Sequence, residues 1–337
     1  MLSRGRCLIV AEIAQAHDGS LGTAHAYIDA AVAAGADAVK FQTHYADHES
    51  SSDESFRVKF SPQDANRYAY WKRLEFTPEQ WLGLADHCRA RGVMFVSSPF
   101  SLYAVEVLER CDVAAWKVAS GEIGNLQLLD RMARTGKPIL LSSGMSGWEE
   151  LDRAVDRIRS SGNDLAVMQC TTSYPCPPER VGLNVILQMR ERYGSPVGLS
   201  DHSGTLWPAI AGAMLGMDVY EAHMVFDRAC FGPDVPASLT LEEFAKTVEG
   251  IRFTENMRDH PVDKGADAAD YEGLRSMFNQ GLVAARDLPE GTVLGPDSLA
   301  TRKPLRGIPA SQYDLVLGRT LSVPVAAGTP IEEAHLR

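Results

Sequence analysis

The chain has 337 residues, 45% of them hydrophobic, which is enough for one large domain and a small one. Its formal net charge of −11 excludes nucleic acid and anionic membrane surfaces as main partners, because both require a basic face. Glu12 interrupts the N-terminal apolar run, and no other run reaches the length of a membrane span. We therefore expect a cytoplasmic protein without a signal peptide.

Short β-prone apolar runs alternate with longer amphipathic runs from residue 7 to about residue 223. The predicted strands are Cys7–Ala14, Ala38–Gln42, Met94–Ser98, Ala115–Ala119, Ile139–Ser142, Ala166–Cys170, Val197–Leu199 and Val219–Ala222. The predicted helices include Leu21–Ala34, Pro78–Ala90, Leu126–Thr135, Glu149–Ser160 and Leu183–Tyr193, with another around Leu241–Thr254. Strand–helix alternation predicts a parallel sheet, and eight such units close it into an α/β barrel of the (β/α)8, or TIM, type.

Three segments depart from this alternation. Residues 42–76 form a long polar insertion after the second strand, and a loop of that length is typical of an active-site cap or a mobile segment. Residues 258–275 are acidic and aperiodic, so we interpret them as a linker after a barrel domain of residues 1–257. Residues 276–337 alternate short β-prone runs with Gly- and Pro-rich turns, which indicates a small β-rich domain.

Two histidines follow neighbouring short strands, His202 after Val197–Leu199 and His223 after Val219–Ala222. In a parallel barrel the carboxyl ends of the strands form the active-site face, so the two imidazoles are expected to face each other. Two such imidazoles are a natural pair of metal ligands, and this chemistry alone leaves zinc and iron as open as manganese. The alternative is that each histidine is only hydrogen-bonded at the start of a loop.

Lys40 and Lys117 each interrupt an apolar run, where burial of the charge is costly without an anionic partner. Several hydroxyls also end predicted strands, and these are Ser98, Ser120, Ser142, Tyr174 and Ser200. Two ammonium groups and a ring of hydroxyls are suited to a phosphate. The alternatives are lysine stems that reach water from the strand ends and serines that are ordinary turn residues.

The acidic candidates are Glu12 and Glu122, each at a strand end, and Asp234 in a loop beyond the last strand. A carboxylate within the apolar run around Glu12 is hard to explain as part of a solvated face. Near a metal, Glu12 and Glu122 are candidates for general acid or base catalysis or for binding polyol hydroxyls. Glu221 lies two residues before His223, on the same face of the strand, as a candidate partner of that histidine.

These strings resemble the sialic acid synthase family. The matching segments are Ala11-Glu-Ile with His17-Asp-Gly-Ser20, Gly35-Ala-Asp-Ala-Val-Lys-Phe-Gln42, Phe95-Val-Ser-Ser-Pro-Phe-Ser101, Lys117-Val-Ala-Ser-Gly-Glu122, Gly136-Lys-Pro-Ile-Leu-Leu-Ser-Ser-Gly-Met145, Cys170-Thr-Thr-Ser-Tyr-Pro175, Gly198-Leu-Ser-Asp-His202 and Gly232-Pro-Asp234. The last part of the chain resembles the small antifreeze-like (SAF) domain of that family. The family condenses phosphoenolpyruvate with an N-acetylated hexose, such as N-acetylmannosamine, to form a nonulosonic acid.

The resemblance implies a role for each candidate residue. His202 and His223 would hold a divalent metal, usually manganese in this family, which polarises the acceptor aldehyde. Phosphoenolpyruvate would be bound by Lys40, Ser98, Lys117, Ser120, Ser142, Tyr174 and Ser200. The sugar would face Glu12, Gln42, Glu122 and Asp234, with Glu12 or Glu122 handling the proton. The resemblance also implies a domain-swapped homodimer, in which the antifreeze-like domain of one copy completes the active site of the other.

The chain departs from the family pattern at three positions. Thr172 replaces the usual asparagine of the Cys-Thr-Asn string, and Ala222 replaces a usually basic residue before the second histidine. Lys303 stands where the family's antifreeze-like domain carries an arginine that reaches the substrate's acyl group, although Arg302 or Arg306 lies nearby. Lysine does not reproduce the planar, bidentate fork of arginine, so N-acetylmannosamine is not expected to be the best acceptor.

Two other functions are compatible with these residues. Lys117 on a barrel strand is also suited to a Schiff-base aldolase or lyase of sugar acids, although such an enzyme has no need of His202 and His223. The substitutions at Thr172 and Lys303 are compatible with a sugar-binding homologue that has lost catalysis. The retained glutamates, lysines and histidines favour the synthase.

Overall fold

The computed structural model describes residues 5–266 and 269–337 of the chain. It divides into two compact units, with the boundary between His260 and Pro261. Residues 1–4 of the predicted barrel domain and residues 267 and 268 of the predicted linker lie outside the described residues.

The first unit is a closed barrel of eight parallel strands, in which β1 pairs with both β2 and β8. The strands are β1 Leu8–Ala14, β2 Ala38–Thr43, β3 Met94–Pro99, β4 Ala115–Val118, β5 Ile139–Ser142, β6 Leu165–Cys170, β7 Val197–Asp201 and β8 Val219–Val225. A two-residue strand, β9 Leu239–Thr240, extends the sheet beside β8. The predicted (β/α)8 barrel is thus confirmed, with strand bounds that differ from the prediction by at most three residues.

Helices surround the barrel. They are α1 Leu21–Ala33, α2 Ala46–Glu49, α3 Arg67–Leu74, α4 Pro78–Ala90, α5 Leu102–Arg110, α6 Leu126–Ala133, α7 Trp148–Ser160, α8 Leu183–Tyr193, α9 Trp207–Met214 and α10 Leu241–Asp259. The short helices α2 and α3 lie within the predicted 42–76 insertion. Of the helices in the described parts of the chain, none combines the length and apolar character needed to cross a membrane.

The ends of the helices follow the chemistry of the sequence. Ser20 and Ser101 accept a backbone N–H in the first turn of α1 and α5, and Thr77 and Thr240 form capping boxes at α4 and α10. Such caps satisfy N–H groups that have no partner within the helix. The caps therefore fix the residue at which each of these helices begins.

The interior of the barrel changes from apolar to charged along the strands. Its lower layers contain Leu8, Val10, Ala38, Val96, Ala115, Leu140, Ala166, Met168 and Val219, all buried. Because side chains of one strand alternate between the two faces, the next inward positions follow two residues later. These are Glu12 above Val10, Lys40 above Ala38 and Lys117 above Ala115. The apolar layers therefore form the floor on which the charged residues stand.

The second unit is small and β-rich, as predicted. Its strands β10 Gly281–Ala284 and β11 Leu299–Arg302 are antiparallel, and isolated bridges such as Leu288 to Val325 join the remaining segments. Two helices belong to it, α11 Glu272–Phe278 and α12 Tyr313–Val316. Since α10 extends to Asp259 and α11 begins at Glu272, helical residues occupy both ends of the predicted 258–275 linker.

One close approach of β7 to β8 gives a test of this packing. A Cβ atom at Gly198 would lie 2.5 Å from the carbonyl oxygen of Val219, which is backbone and cannot move without shifting β8. We expect Gly198→Ala to lower the free energy of unfolding by about 1–3 kcal/mol, the usual cost of overpacking. Urea unfolding measures the change.

Gly83→Ala is the matched control, because Gly83 lies within α4 and a Cβ atom there meets nothing within 4 Å. Alanine favours a helix interior over glycine by about 0.8–1.0 kcal/mol, so this variant should be as stable as the parent or more stable. Equal effects of the two substitutions would contradict the close approach at Gly198.

Candidate active site

A cavity of about 190 Å³ opens at the carboxyl ends of the barrel strands. Eleven of the residues predicted for the site line it, and these are Glu12, Lys40, Gln42, Ser98, Lys117, Ser120, Ser142, Tyr174, Ser200, His202 and His223. They come from all eight barrel strands or the loops that follow them. The fold thus gathers in one place side chains that are as much as 211 positions apart in the sequence (223 − 12).

Four predicted residues lie elsewhere. Glu122 is half-buried on the short 3-10 turn Ser120–Glu122, does not line the cavity, and accepts a hydrogen bond from Asn125 Nδ2 at 3.0 Å. Asp234 lies beside the cavity, with Oδ2 4.0 Å from His223 Nδ1. Lys303 and Arg306 are exposed in the second unit, where the Lys303 ammonium lies 5.6 Å from the centre of the Phe278 ring.

Strand register explains how Glu12 reaches its partners. On one side Glu12 is directly paired with Lys40 of β2, and on the other with His223 of β8. The pairing of β1 with β8 exists only because the sheet closes. A carboxylate, an ammonium group and an imidazole therefore share one level of the barrel.

Two lysines and two glutamates form a buried ion network at this level, which we call the charge network: Glu12, Lys40, Glu221 and Lys117. Lys40 Nζ lies 2.6 Å from Glu12 Oε2 and 3.6 Å from Glu221 Oε1, and Lys117 Nζ lies 2.7 Å from Glu221 Oε1. At most 6% of any of the four side chains is exposed. The four formal charges cancel, and ions this deeply buried are retained only when paired.

The pKa values of the charge network diverge. Burial raises the pKa of the Glu12 carboxyl more than Lys40 lowers it. Burial also acts to raise the pKa of Glu221, but Lys117 and Lys40 together outweigh burial, so this pKa is lowered. The network thus contains one carboxyl whose pKa is raised and one whose pKa is lowered, and such a divergence separates a carboxyl suited to proton transfer from a fixed anion.

The two lysines differ in the same way. Burial lowers the pKa of Lys117, and the bond to Glu221 recovers only part of that loss. Burial also acts to lower the pKa of Lys40, but the two carboxylates Glu12 and Glu221 outweigh it, so this pKa is raised. Lys40 is therefore the fixed cation of the cavity.

Hydroxyl groups line the cavity beside the charge network. Ser98 Oγ accepts from Lys40 Nζ at 3.4 Å, Ser200 Oγ donates to Glu221 Oε1 at 3.0 Å, and Ser120 Oγ accepts from the Gly144 N–H at 3.0 Å. A Cβ atom at Gly144 would lie 2.5 Å from both Ser120 Oγ and Thr172 Oγ1. Glycine at this position is what lets both hydroxyls approach the backbone of residue 144 so closely.

The two histidines face each other with ring centroids 5.4 Å apart. His202 Nδ1 donates to the Thr171 carbonyl at 3.1 Å, and the Tyr174 hydroxyl donates to His202 Nε2 at 3.0 Å. Burial lowers the pKa of His202 to about 3, so this imidazole is neutral and its Nε2 lone pair points away from the backbone. Neutral imidazole nitrogens of this kind are divalent-metal ligands, so the pair fits a metal ion.

Two histidines alone do not complete a metal site. Within residues 5–266 and 269–337, no group of three or more His, Cys, Asp or Glu side chains is placed to hold a metal ion. A metal bound by His202 and His223 would take its remaining ligands from substrate or water, as an open catalytic site does.

The sequence did not reveal the main role of Glu221. It was considered only as a partner of His223, whereas its carboxylate contacts Lys117, Lys40 and Ser200. The two lysines within apolar runs were the signal that could have revealed this role, because each buried ammonium group requires a nearby anion. The cavity is also lined by side chains that sequence reasoning did not select, namely Phe100, Met145 and Cys170.

The model of the NeuB family matches residues 27–263, and the SAF domain model matches residues 279–337. The chain belongs to the NeuB family. The family match confirms the resemblance drawn from the strings, and the SAF match identifies the small β-rich unit.

Members of the NeuB family and a solved structure resemble the chain along most of its length. An N,N'-diacetyllegionaminic acid synthase of Legionella pneumophila is 30% identical over 98% of this chain and 94% of the relative. A human N-acetylneuraminate-9-phosphate synthase is also 30% identical, over 97% and 92%. The structure of an N-acetylneuraminic acid synthetase from Leptospira borgpetersenii has a TM-score of 0.70 and 26% identity, covering 80% of this chain and 92% of the other. The chain is accordingly an enzyme of the sialic acid synthase type.

The charge network predicts an asymmetry between single and paired substitutions. Glu221→Gln leaves two buried lysines with one carboxylate, so we expect the free energy of unfolding to fall by about 3–5 kcal/mol. The double variant Lys117→Met/Glu221→Gln keeps one lysine with one carboxylate and should lose clearly less. Urea unfolding of both proteins measures the difference.

Glu242→Gln is the control, because Glu242 forms an exposed ion pair with Lys246 on α10. Exposed pairs contribute little, so this variant should unfold like the parent. If the double variant were less stable than Glu221→Gln alone, the charges of Lys117 and Glu221 would not be compensating each other.

Proposed function

We propose that this enzyme condenses phosphoenolpyruvate with the open-chain aldehyde of an N-acetylated hexose to form a nonulosonic acid and inorganic phosphate. The observation that carries the proposal is the cavity itself, in which two lysines, a wall of hydroxyls and two facing imidazoles meet in a NeuB-family barrel. Anion, hydroxyl and metal recognition are the three tasks that this reaction requires.

Lys40 and Lys117 supply the positive charge for the phosphate and carboxylate of phosphoenolpyruvate. Ser98, Ser120, Ser142, Ser200 and Tyr174 supply neutral hydrogen bonds around that anion. In this proposal the two lysines contact both Glu221 and the bound phosphoenolpyruvate. Before the ligand binds, Glu221 already neutralises part of their charge, so the lysines are not buried without an anion.

His202 and His223 would hold the divalent metal, for which we propose manganese. Such an ion supplies Lewis-acid polarisation of a carbonyl oxygen. Tyr174 donates to His202 Nε2, so its hydroxyl has to turn away for that nitrogen to become a ligand. The freed hydroxyl then faces the cavity, where we propose that it donates to phosphoenolpyruvate.

The carbon chemistry proceeds in two stages. C3 of phosphoenolpyruvate attacks the aldehyde carbon, a C–C bond forms, and the aldehyde oxygen takes a proton to become a hydroxyl. Water then adds to the cationic C2 and loses a proton, which leaves a hydroxyl group on C2. The C2–O bond to phosphate breaks as that hydroxyl loses its proton to become the 2-keto group, and the proton leaves with inorganic phosphate. Glu12 is the group we propose for proton transfer, because its pKa is raised by burial and it lies beside both Lys40 and His223.

Glu122 is the weaker candidate for this proton. Its carboxylate is bonded to Asn125 and lies outside the cavity lining, although it follows Ser120 by only two residues. Gln42 and Asp234 remain the proposed sugar contacts within the barrel. Lys303 and Arg306 would contact the sugar from the SAF domain of a second copy, in a domain-swapped homodimer.

The names of the relatives do not identify the acceptor sugar of this enzyme. The synthases named for N,N'-diacetyllegionaminic acid and for N-acetylneuraminate 9-phosphate are both 30% identical to the chain. We propose an N-acetylated hexose other than N-acetylmannosamine. The support is Lys303, which offers the acyl group a point charge in place of a planar fork.

The reaction type predicts metal dependence. Inorganic phosphate should be released from phosphoenolpyruvate only when manganese and a suitable acceptor are both present, and EDTA should abolish the release. Sodium borohydride added with substrate should leave no adduct on Lys117, as mass spectrometry would show. Release that survives EDTA, together with a borohydride-trapped adduct, would instead establish the Schiff-base aldolase.

The acceptor prediction uses the same phosphate assay with a panel of sugars. The panel is N-acetylmannosamine, its 6-phosphate, mannose and several diacetamido-hexoses, each at the same concentration. We expect a sugar other than N-acetylmannosamine to have the highest kcat/KM. If N-acetylmannosamine were clearly the best acceptor, the prediction from Lys303 would be wrong.

A further inference from the structure

A chain of hydrogen bonds leads from the cavity into the 42–76 insertion. Gln42 Nε2 donates to Glu12 Oε1 at 3.1 Å, and Gln42 Oε1 lies 3.3 Å from His44 Nε2. His44 Nδ1 lies 2.6 Å from Glu49 Oε1. Gln15 Nε2 also donates to Gln42 Oε1, at 3.3 Å. None of the roles described above involves His44, yet only two hydrogen bonds, through Gln42, separate it from Glu12.

The direction of these hydrogen bonds follows from which groups are able only to accept. In the structure Glu12 Oε1 accepts from Gln42 Nε2, so the Gln42 amide turns its NH₂ group toward Glu12. Gln42 Oε1 then faces His44 Nε2 and Gln15 Nε2, and it accepts from both. His44 Nε2 therefore carries a hydrogen.

The other side of the His44 ring is held by Glu49. Nδ1 and Glu49 Oε1 share a hydrogen bond of 2.6 Å, and the second Glu49 oxygen accepts from the Tyr45 N–H at 3.3 Å. The ring is stacked between Trp71, at 3.8 Å and 8°, and Phe100, at 4.2 Å and 15°. With only 4% of its side chain exposed, the ring has little room to rotate.

We propose that His44 is a positioning residue for the acceptor sugar. Its Nε2–H holds the Gln42 oxygen and so keeps the Gln42 NH₂ group toward Glu12 and the cavity. One N–H of that group binds Glu12, and the second is left for an oxygen of the acceptor. The inference rests on the proposed function, because it takes Gln42 to be a sugar contact.

Without His44 the amide loses one of its two fixed donors. Gln15 alone is then left to hold the oxygen, and the amide is free to turn its carbonyl toward Glu12 and the sugar. Loss of a hydrogen bond that orients a binding group corresponds to about 0.5–1.5 kcal/mol, which is roughly 2–10-fold in affinity. The effect should fall on the acceptor and spare phosphoenolpyruvate.

The experiment is a double-mutant cycle between His44 and Gln42. His44→Leu should lower kcat/KM for the acceptor about 2–10-fold, mostly through KM, and should change KM for phosphoenolpyruvate by less than about twofold. In a Gln42→Leu background, His44→Leu should have no further effect. A purely structural role would give the same loss in both backgrounds.

His48→Leu is the matched control. Like His44, His48 is a histidine stacked on an aromatic ring, and its ring lies 4.3 Å from the ring of Tyr103. His48 lies in α2 and hydrogen-bonds no cavity residue in the described parts of the chain. It should leave both KM values unchanged. A change equal to that of His44→Leu would overturn the inference, because any disturbance of the insertion would then have the same effect.

Glu49→Gln is the second variant if His44→Leu does not fold, since it alters only the far side of the ring. A rise in acceptor KM that disappears in the Gln42→Leu background supports the inference, and no rise overturns it. An acceptor KM that Gln42→Leu leaves unchanged would contradict the proposed role of Gln42 and overturn the inference with it.

Neutron crystal structures, which distinguish the amide NH₂ group from the amide oxygen, provide a readout that does not need turnover. Gln42 Nε2 should stay within hydrogen-bond distance of Glu12 in the wild-type protein and move away from it in His44→Leu. An unchanged Gln42 side chain in that variant would overturn the inference. Absence of turnover with every acceptor would count only against the proposed function, because the crystallographic comparison would still apply.

Discussion

The mutual neutralisation of two lysines and two glutamates inside the barrel is the interaction on which the site depends. Removing any one of these ions from water is costly, and the cost is offset only because Lys40 bridges Glu12 and Glu221 while Lys117 pairs with Glu221. The apolar residues of the barrel floor offer these ions no charged partner. Anion binding, proton transfer and the alignment of the glutamates are therefore coupled through one set of contacts.

This coupling explains why the two glutamates differ. Glu221 is pinned by two ammonium groups and the Ser200 hydroxyl, so its pKa is lowered and it remains an anion. Glu12 has one ammonium group and the Gln42 amide, and burial raises its pKa. The difference arises from the number of cations that each strand position can reach. It is the kind of asymmetry that assigns fixed charge to one carboxyl and proton transfer to the other.

Much of the fold could be predicted from the sequence because the barrel strands are short apolar runs separated by amphipathic helices. The strand–helix alternation also calls for a helix between the two strands that end in His202 and His223. Helix α9 is that helix, although its residues Trp207–Met214 contain no charged side chain to show a periodicity. The strand-end candidates mostly line the cavity, because parallel strands bring their carboxyl ends to one face. Glu122 does not line it, although Ser120 of the same 3-10 turn does, and the Glu122 carboxylate is hydrogen-bonded to Asn125 instead.

The partners of the buried residues could not be predicted in the same way. The pairing of Lys117 with Glu221 joins strands β4 and β8, which are neighbours neither in the sequence nor in the sheet, and their side chains meet only across the closed barrel. The link from Gln42 through His44 to Glu49 likewise depends on a ring held between Trp71 and Phe100, which come from distant segments. Such contacts follow from packing and leave no periodic signal.

The most direct test of the proposed chemistry follows the oxygen that bridges C2 and phosphorus in phosphoenolpyruvate. With ¹⁸O at that position, manganese and an accepted sugar, the released phosphate should carry the label, because the C2–O bond breaks after water adds to C2. Phosphorus NMR or mass spectrometry of the phosphate gives the result. Unlabelled phosphate would mean that the P–O bond breaks instead, and it would contradict a cavity built to activate C2.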